Sequence, residues 1–433
     1  MSMNAQQPLL RQLFRGKPVT RMHVMAKPTG PVCNMNCEYC YYISKLDLLP
    51  TQDRWHMSDE TLESFIRQYI EGQNHKEVVF SWQGGEPTLR GLDFFRKVVA
   101  LEKKYAPSHL RCENDLQTNG TLLDDEWCEF LSGNNFLVGL SIDGPRELHD
   151  HYRVDRGGQG TFDRVFRAAR LLRKHGVNFA TLSCVNRATA QAPIEVYRFL
   201  RDEVRSPRLQ FIPIVEPRKF RSVAPQYWAA ADMPMVGSPA ARPGTLESVV
   251  EDWCVDPDDW GNFLCRIFDE WRAHDIGQLY VHYFEAAVET WMGRVNPLCT
   301  LAPMCGKGLA IEHDGNVYAC DHYVYPEYSL GNVRETPLTQ MAFSPAQERF
   351  GKNKEGTLPD HCRKCDYQFA CFGECPKNRF VRAPDGQPGL NYLCSGWKRF
   401  WKHIDQPMQR IVRDLGYTPH HGEGVSFGTC NSI

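Results

Sequence analysis

Three cysteines, Cys33, Cys37 and Cys40, stand as C-x3-C-x2-C in the stretch Cys-Asn-Met-Asn-Cys-Glu-Tyr-Cys. With 17 cysteines in 433 residues, chance gives three at one set spacing in roughly 0.03 chains of this composition. Far downstream, Cys362, Cys365, Cys371 and Cys375 form C-x2-C-x5-C-x3-C, for which the same estimate is roughly 0.001. Cys299, Cys305, Cys320 and Cys394 flank that block, so one group of three lies near the start and one group of eight near the end. Three thiolates with no nearby fourth cysteine leave one iron of a cubane [4Fe–4S] cluster open to an outside ligand. Structural zinc wants four closed ligands and is disfavoured at the trio, although His23 or His56 could complete a set. For the group of eight, two closed four-cysteine sites fit. Spacing does not separate zinc from iron–sulfur there.

An odd number of cysteines argues against a disulfide framework, and so does the N-terminus. Residues 1–21 carry Arg11, Arg15, Lys17 and Arg21 but only two apolar pairs, with no apolar run and no small-residue cleavage site. The expected location is the cytoplasm. Fifty Lys+Arg against fifty-two Asp+Glu give a net charge of −2, which excludes binding nucleic acid or acidic lipid by bulk charge. No segment approaches the roughly 18 consecutive apolar residues of a membrane span.

The cysteine groups are set among alternating strand and helix signals. Short apolar runs rich in β-branched and aromatic residues predict strands at 22–26, 78–82, 111–117, 136–142, 179–185 and 209–214. Helical periodicity falls between them, at 59–71, 92–105, 124–132, 162–175 and 194–203. Ser58 and Thr161 are placed as N-caps and Gly176 as a C-cap. Six strand–helix steps mean an α/β fold with a parallel sheet wrapped by helices, open or partly closed into a barrel. The cysteine trio follows the first strand. Gln83-Gly84-Gly85-Glu86-Pro87 follows the second, Gln117-Thr118-Asn119-Gly120 the third, and Ser141-Ile142-Asp143-Gly144-Pro145 ends the fourth. Strand C-termini form the active-site rim of such folds, so these turns share one small-molecule site facing the cluster. Residues 218–258 hold five prolines and interrupt the alternation, and read as an insertion or lid. Helices follow at 259–274 and 282–292, the first with Trp260, Phe263, Leu264, Ile267, Phe268 and Trp271 on an apolar face. Residues 406–433 show only a short helix through Leu415 and read as peripheral.

These motifs in this order resemble the radical S-adenosylmethionine (SAM) superfamily, in the subgroup with a SPASM domain. Val-Tyr-Ala-Cys-Asp-His-Tyr (317–323) and Leu-Asn-Tyr-Leu-Cys (390–394) make the sequence similar to the anaerobic sulfatase-maturating enzymes within it. The likeness runs from residue 22 to 400. It implies a partial (β/α)6 parallel barrel over 22–217 and a Cys-rich SPASM domain over 299–400. Around these lie an N-terminal arm (1–21), the Pro-rich insertion (218–258), a helical connector (259–298) and a C-terminal tail (401–433).

By the same resemblance, Cys33, Cys37 and Cys40 hold the SAM-binding [4Fe–4S] cluster. Tyr39, Gly85, Ser141, Arg153 and Val215 contact SAM: Gly85 by letting backbone approach the methionine amino group, Ser141 and Arg153 at ribose and carboxylate, Val215 at adenine. Two auxiliary [4Fe–4S] clusters are implied, one on Cys299, Cys305, Cys320 and Cys375, the other on Cys362, Cys365, Cys371 and Cys394. Asp321 is implied as the general base. The implied reaction oxidises a Ser or Cys of an unfolded sulfatase polypeptide to Cα-formylglycine, with an electron donor such as flavodoxin or ferredoxin. Cys112, Cys128, Cys184, Cys254, Cys265 and Cys430 remain as buried or surface thiols. Two rivals compete: a radical SAM/SPASM enzyme forming thioether or carbon–carbon crosslinks in peptides, and a zinc-stabilised binding or scaffold protein.

Overall fold

β-Branched and aromatic residues cannot keep their rotamers in a helix as freely as in a pleated sheet, and the runs that contain them here form one sheet. A computed structural model describes residues 21–49, 55–306 and 308–420. The arm expected at 1–21 lies outside the described residues but for Arg21, as do residues 421–433 with Cys430. The strands are β1 (His23–Lys27), β2 (Glu77–Trp82), β3 (Arg111–Thr118), β4 (Leu137–Ser141), β5 (Asn178–Val185), β6 (Arg208–Pro213), β7 (Tyr280–Val281), β8 (Gly308–Glu312), β9 (Asn316–Tyr318) and β10 (Ser329–Asn332). Their order is β10-β9-β8-β1-β2-β3-β4-β5-β6-β7. Strands β1 to β7 pair in parallel in chain order, and β1 and β6 do not meet, so the barrel is open.

The six expected strands match β1–β6 to within a residue or two at each end. Ser58 caps Asp59–Glu71 as expected, accepting from the Thr61 amide. Thr161 does not cap Phe162–Lys174; its hydroxyl donates to the Arg153 carbonyl at 2.9 Å instead. Gly176 follows that helix with φ +63°, the left-handed conformation a glycine adopts without penalty.

Three regions depart from expectation. First, the sheet does not stop at six strands. β8 pairs in parallel with β1, His23 opposite Gly308 through Lys27 opposite Glu312, and β9 and β10 continue antiparallel. The Cys-rich C-terminal region is thereby hydrogen-bonded to the strand that leads into the cysteine trio. Second, residues 218–258 do not stand off as a lid. Phe220, Trp228, Val250 and Trp253 are buried, and Trp228 stacks on Phe380 at 5.6 Å. Third, the C-terminal part is not peripheral. A single helix, Cys394–Asp414, crosses the boundary expected at 400, with Trp397, Phe400, Trp401, Ile404, Met408 and Val412 buried. It packs on Pro257–His274, whose expected apolar face is buried throughout. The N-terminal turns of the two helices meet at glycines: a Cβ on Gly396 would stand 2.1 Å from the Pro257 carbonyl.

Candidate active site

Beyond β1 the chain turns at Gly30, φ +53°, and enters the loop of Cys33, Cys37 and Cys40. Turns from three strands grip this loop. After β2, the Gly85 amide donates to Gly30 O (2.8 Å) and the Glu86 amide to Val32 O (3.0 Å). A Cβ on Gly85 would stand 2.0 Å from Val32 O. Glycine is therefore demanded there by the cysteine loop itself. After β3, Asn119 Nδ2 donates to Asn34 Oδ1 at 2.9 Å and lies 3.7 Å from Cys33 Sγ. Beyond β4, the amides of Asn36 and Glu38 donate to the carbonyls of Val154 (2.8 Å) and Tyr152 (3.2 Å), and Arg156 Nε donates to Cys33 O at 2.8 Å.

Glu86, quoted in the second turn but given no role, is what joins these turns. It is 1% exposed. Its carboxylate accepts from the Thr88 amide and hydroxyl (3.0 and 2.6 Å), the Thr118 hydroxyl (2.7 Å) and the Asn119 amide (2.8 Å). A buried carboxylate is tolerable only when so bonded.

Around Cys37 lies a second buried charge group. Asp143, fully buried at the end of the fourth turn, pairs with Arg153 Nε at 3.0 Å and accepts from the Cys184 amide at 2.9 Å. Tyr39, also buried, donates its hydroxyl to the same carboxylate, and the Arg153 guanidinium sits 5.6 Å from the Tyr39 ring centroid. Arg153 is thus neither a surface ion pair nor a free fork: Asp143 holds one of its edges. Ser141 is half-buried and accepts from Gln117 Nε2 at 2.9 Å. Val215 is buried beyond β6, and its carbonyl accepts from Lys377 Nζ at 2.9 Å.

None of the described cysteines is in a disulfide. Burial pushes the Cys33 thiol up to about 11 and Cys37 up to about 12. The Arg153 guanidinium near Cys37 does not offset burial, and coordination to iron is what makes such thiols thiolates. The eight C-terminal cysteines separate into two sets in space. Cys320 faces Cys305, Cys299 and Cys375. Cys362, Cys365, Cys371 and Cys394 line a cavity closed by Trp397 and Trp401. Among the described residues, no three His, Cys, Asp or Glu side chains close round a single-ion position, and an iron–sulfur cluster spreads its thiolates wider than one zinc ion does. Of the remaining cysteines, Cys128, Cys184, Cys254 and Cys265 are buried and Cys112 is half-buried.

Asp321 lies between the trio and the first four-cysteine set, 8% exposed. It forms an ion pair with Lys27 and accepts from the Tyr41 hydroxyl at 2.5 Å. The β1–β8 pairing explains the contact, since Lys27 ends β1 opposite Glu312 at the end of β8. Lys27 Nζ also sits 3.9 Å from the Tyr42 ring centroid, and Tyr42 donates to Glu312. Burial opposes the Asp321 charge, but Lys27, His322 and Tyr41 outweigh it and hold the carboxyl at about 2. His322 goes the other way: burial lowers it to about 4. Lys27, Tyr41 and Glu86 are the site residues that spacing does not single out. Glu86 stood inside a motif, whereas Lys27 and Tyr41 are found only through the β1–β8 pairing.

Residues 28–200 match the radical SAM superfamily model, and residues 299–366 match that of an iron–sulfur cluster-binding domain named SPASM. The chain is 45% identical over 394 residues to the serine-type anaerobic sulfatase-maturating enzyme of Bacteroides thetaiotaomicron, covering 91% of this chain and 92% of that one. It is 32% identical to the cysteine-type enzyme of Clostridium perfringens, covering 91% and 99%. The solved structure of native anSMEcpe with bound AdoMet and Kp18Cys peptide superposes with a TM-score of 0.77 at 31% identity, covering 90% and 99%.

Proposed function

The chain belongs to the anaerobic sulfatase-maturating enzymes of the radical SAM superfamily, and from that premise we propose that it oxidises a Ser or Cys of a sulfatase polypeptide to Cα-formylglycine. The observation that carries this reading is 45% identity over nine-tenths of both chains. It covers both cysteine regions at once, which the zinc scaffold does not account for. Both serine-type and cysteine-type relatives match, so both side chains are substrates to test.

Cys33, Cys37 and Cys40 would hold one [4Fe–4S] cluster with an iron open to SAM. The two C-terminal sets of four would each hold another. When bound, the first cluster and SAM supply a 5′-deoxyadenosyl radical, the oxidant that removes a hydrogen atom from the substrate Cβ. The buried thiols fit this donor set. Tyr39, Gly85, Ser141, Arg153 and Val215 form the SAM side of the site, with Arg153 ordered by Asp143 and Gly85 holding the cysteine loop. Asp321 accepts the proton of the substrate hydroxyl or thiol, a role its ionised state supports. The electron left on the substrate would be taken up by an auxiliary cluster when one is bound, and the thioaldehyde from Cys would exchange its sulfur for the oxygen of water. Lys27 and Tyr41 keep its carboxylate aimed. No described helix is long and apolar enough to cross a membrane. The cytoplasm, where the sulfatase chain is still unfolded, is the location that goes with this reading, with flavodoxin or ferredoxin as electron donor.

The test is incubation of the reconstituted enzyme with SAM, a one-electron reductant and two peptides carrying a sulfatase motif, one with Ser and one with Cys. Mass spectrometry should show an aldehyde in at least one of them, trapped by a hydrazine probe. An internal crosslink with no aldehyde would favour the thioether or carbon–carbon rival.

A further inference from the structure

Cys299 and Cys305 share the loop before β8 while Cys320 and Cys375 come from two later segments, and one helix addresses three of the four cysteines. Pro345–Gly356 starts at Ser344, whose hydroxyl accepts from the Gln347 amide at 3.2 Å. Gln347, Gly351 and Lys354 are spaced by four and then three residues, so they share one face. Gln347 Nε2 donates to the carbonyl of Ala319, the residue before Cys320, at 3.0 Å. The Gly351 carbonyl accepts from the Cys305 amide at 3.2 Å, and a Cβ there would stand 2.7 Å from the Cys305 carbonyl. Lys354 Nζ donates to the carbonyls of Cys299 and Thr300 at 2.6 and 2.7 Å. Arg379 connects the fourth cysteine: it donates to the carbonyl of Glu374, the residue before Cys375, at 3.1 Å and to the Lys354 carbonyl.

Lys354 is 0% exposed. Burying a lysine costs free energy unless something compensates its charge. Its two hydrogen-bond acceptors are neutral carbonyls. The groups near it that become anionic on binding iron are Cys305, Cys375 and Cys299, with the Glu374 carboxyl beyond them, and Arg379 is a second cation close by. We infer that Lys354 is the counter-charge of the iron–sulfur group on Cys299, Cys305, Cys320 and Cys375, a positioning residue that seats the Cys299 segment and raises that group's reduction potential. This rests on the reading that those four cysteines hold a cluster. Reduction adds a negative charge, and a cation fixed beside it in a dry interior favours the reduced form. At the other four-cysteine set the lysine at the cavity is Lys398, which is exposed and screened by water, and the buried cation nearest Cys362 is Arg379, held by the carbonyls of Phe372, Gly373 and Glu374.

The test uses the full chain with Cys33, Cys37 and Cys40 replaced by Ala, which leaves only the two C-terminal groups. Lys354→Gln keeps donors without charge, Lys354→Arg keeps charge, and Lys354→Met keeps neither. Redox titration followed by electron paramagnetic resonance, with iron analysis, reads the result without any peptide. In Lys354→Gln one transition should move down so that the reduced-to-oxidised ratio at the parent midpoint falls about tenfold, about 59 mV for one electron. The other transition should stay in place, and Lys354→Arg should restore the first. If Gln and Met lose one cluster's iron while Arg keeps it, the counter-charge role also stands. Full iron with both transitions unmoved in Lys354→Gln would overturn it, and so would equal iron loss in Arg and Gln. A parent chain without iron on these cysteines would overturn the cluster assignment itself, and failure to mature a peptide bears on neither outcome.

Discussion

Burial works against a charge on Asp321, and Lys27, His322 and Tyr41 overcome it, holding the carboxyl at about 2. The consequence is a proton acceptor ready at any working pH, with a weak intrinsic affinity that only a well-placed substrate proton would overcome. Asp321→Asn keeps the size of the side chain and most of its hydrogen bonds but takes no proton. SAM cleavage and iron content should survive, while formylglycine formation falls by about 10²–10⁴-fold, measured by peptide mass spectrometry beside 5′-deoxyadenosine release. Asn at the parental rate would remove Asp321 from the proton step and turn attention to Tyr41, which touches it. At this scale much of the site was legible. Cysteine spacing marked the trio, and the family likeness pointed to Asp321. What spacing could not carry is mutual orientation. Tyr41 and Lys27 reach Asp321 across 280 and 294 residues of chain, and Glu86 looks like any turn acid until four donors are seen converging on it.

Helices and strands were legible wherever an amphipathic period decides them, and illegible where tertiary contact does. The helix Cys394–Asp414 buries Trp397, Phe400, Trp401, Ile404, Met408 and Val412 at unbroken helical spacing, so its period is present in sequence, but Pro407 and the boundary expected at 400 hid it, and what the sequence does not tell is that this face packs on Pro257–His274. The crossing runs through Gly261 and Gly396. Gly396→Ala places a methyl 2.1 Å from the Pro257 carbonyl, an overpacking that costs about 1–3 kcal/mol. Because Cys394 opens this helix, the variant should also lose iron from the Cys362, Cys365, Cys371 and Cys394 set first; calorimetry and iron analysis check both. A second element-scale effect concerns Leu92–Tyr105. Burial lifts the Glu102 carboxyl on this helix to about 7. Its Oε2 accepts from Asn114 Nδ2 at 3.0 Å, and its Oε1 has no partner. The folded state thus binds a proton that the unfolded chain, with a carboxyl near about 4.3, has released. The stabilisation is complete below about pH 4.3 and is lost as pH rises to about 7, at most about 4 kcal/mol. Glu102→Gln should flatten that decline, and melting at pH 4, pH 5.5 and pH 8 should show the variant gaining on the parent progressively, most at pH 8.

On the scale of the whole molecule, the parallel sheet was readable and its extension was not, because strand signals carry no partner. β8, β9 and β10 are short, and nothing in their residues tells that β8 joins β1, from which the whole of β2 to β7 separates it in sequence. That pairing makes the C-terminal region part of the support of the first cysteine loop. It covers the β1 edge, sets Glu312 under Tyr42, and brings Asp321 to Lys27. Gln68 adds a tie, donating to Val333 O at 2.7 Å and accepting from the Leu338 amide at 2.8 Å. A chain ended at residue 298 keeps every strand from β1 to β7 and all three trio cysteines, so independent domains would leave its SAM chemistry intact. The pairing says otherwise. Removing β8 turns β1 into an edge with a row of unpaired amides and carbonyls, and uncovers Val24 and Ala26, which are 0% and 1% exposed in the whole chain. The cysteine loop then hangs from an uncovered strand, and Lys27 loses its partner. The shortened chain should aggregate or bind well under the roughly four irons of one cluster, and should release little 5′-deoxyadenosine with SAM and reductant. Sulfatase peptide is not needed for that measurement, so it isolates the support of the first site from the role of the auxiliary groups in turnover. A soluble fragment with one full cluster and the parental rate of SAM cleavage would show that β1 stands without β8, and that the two cysteine regions meet only over the substrate.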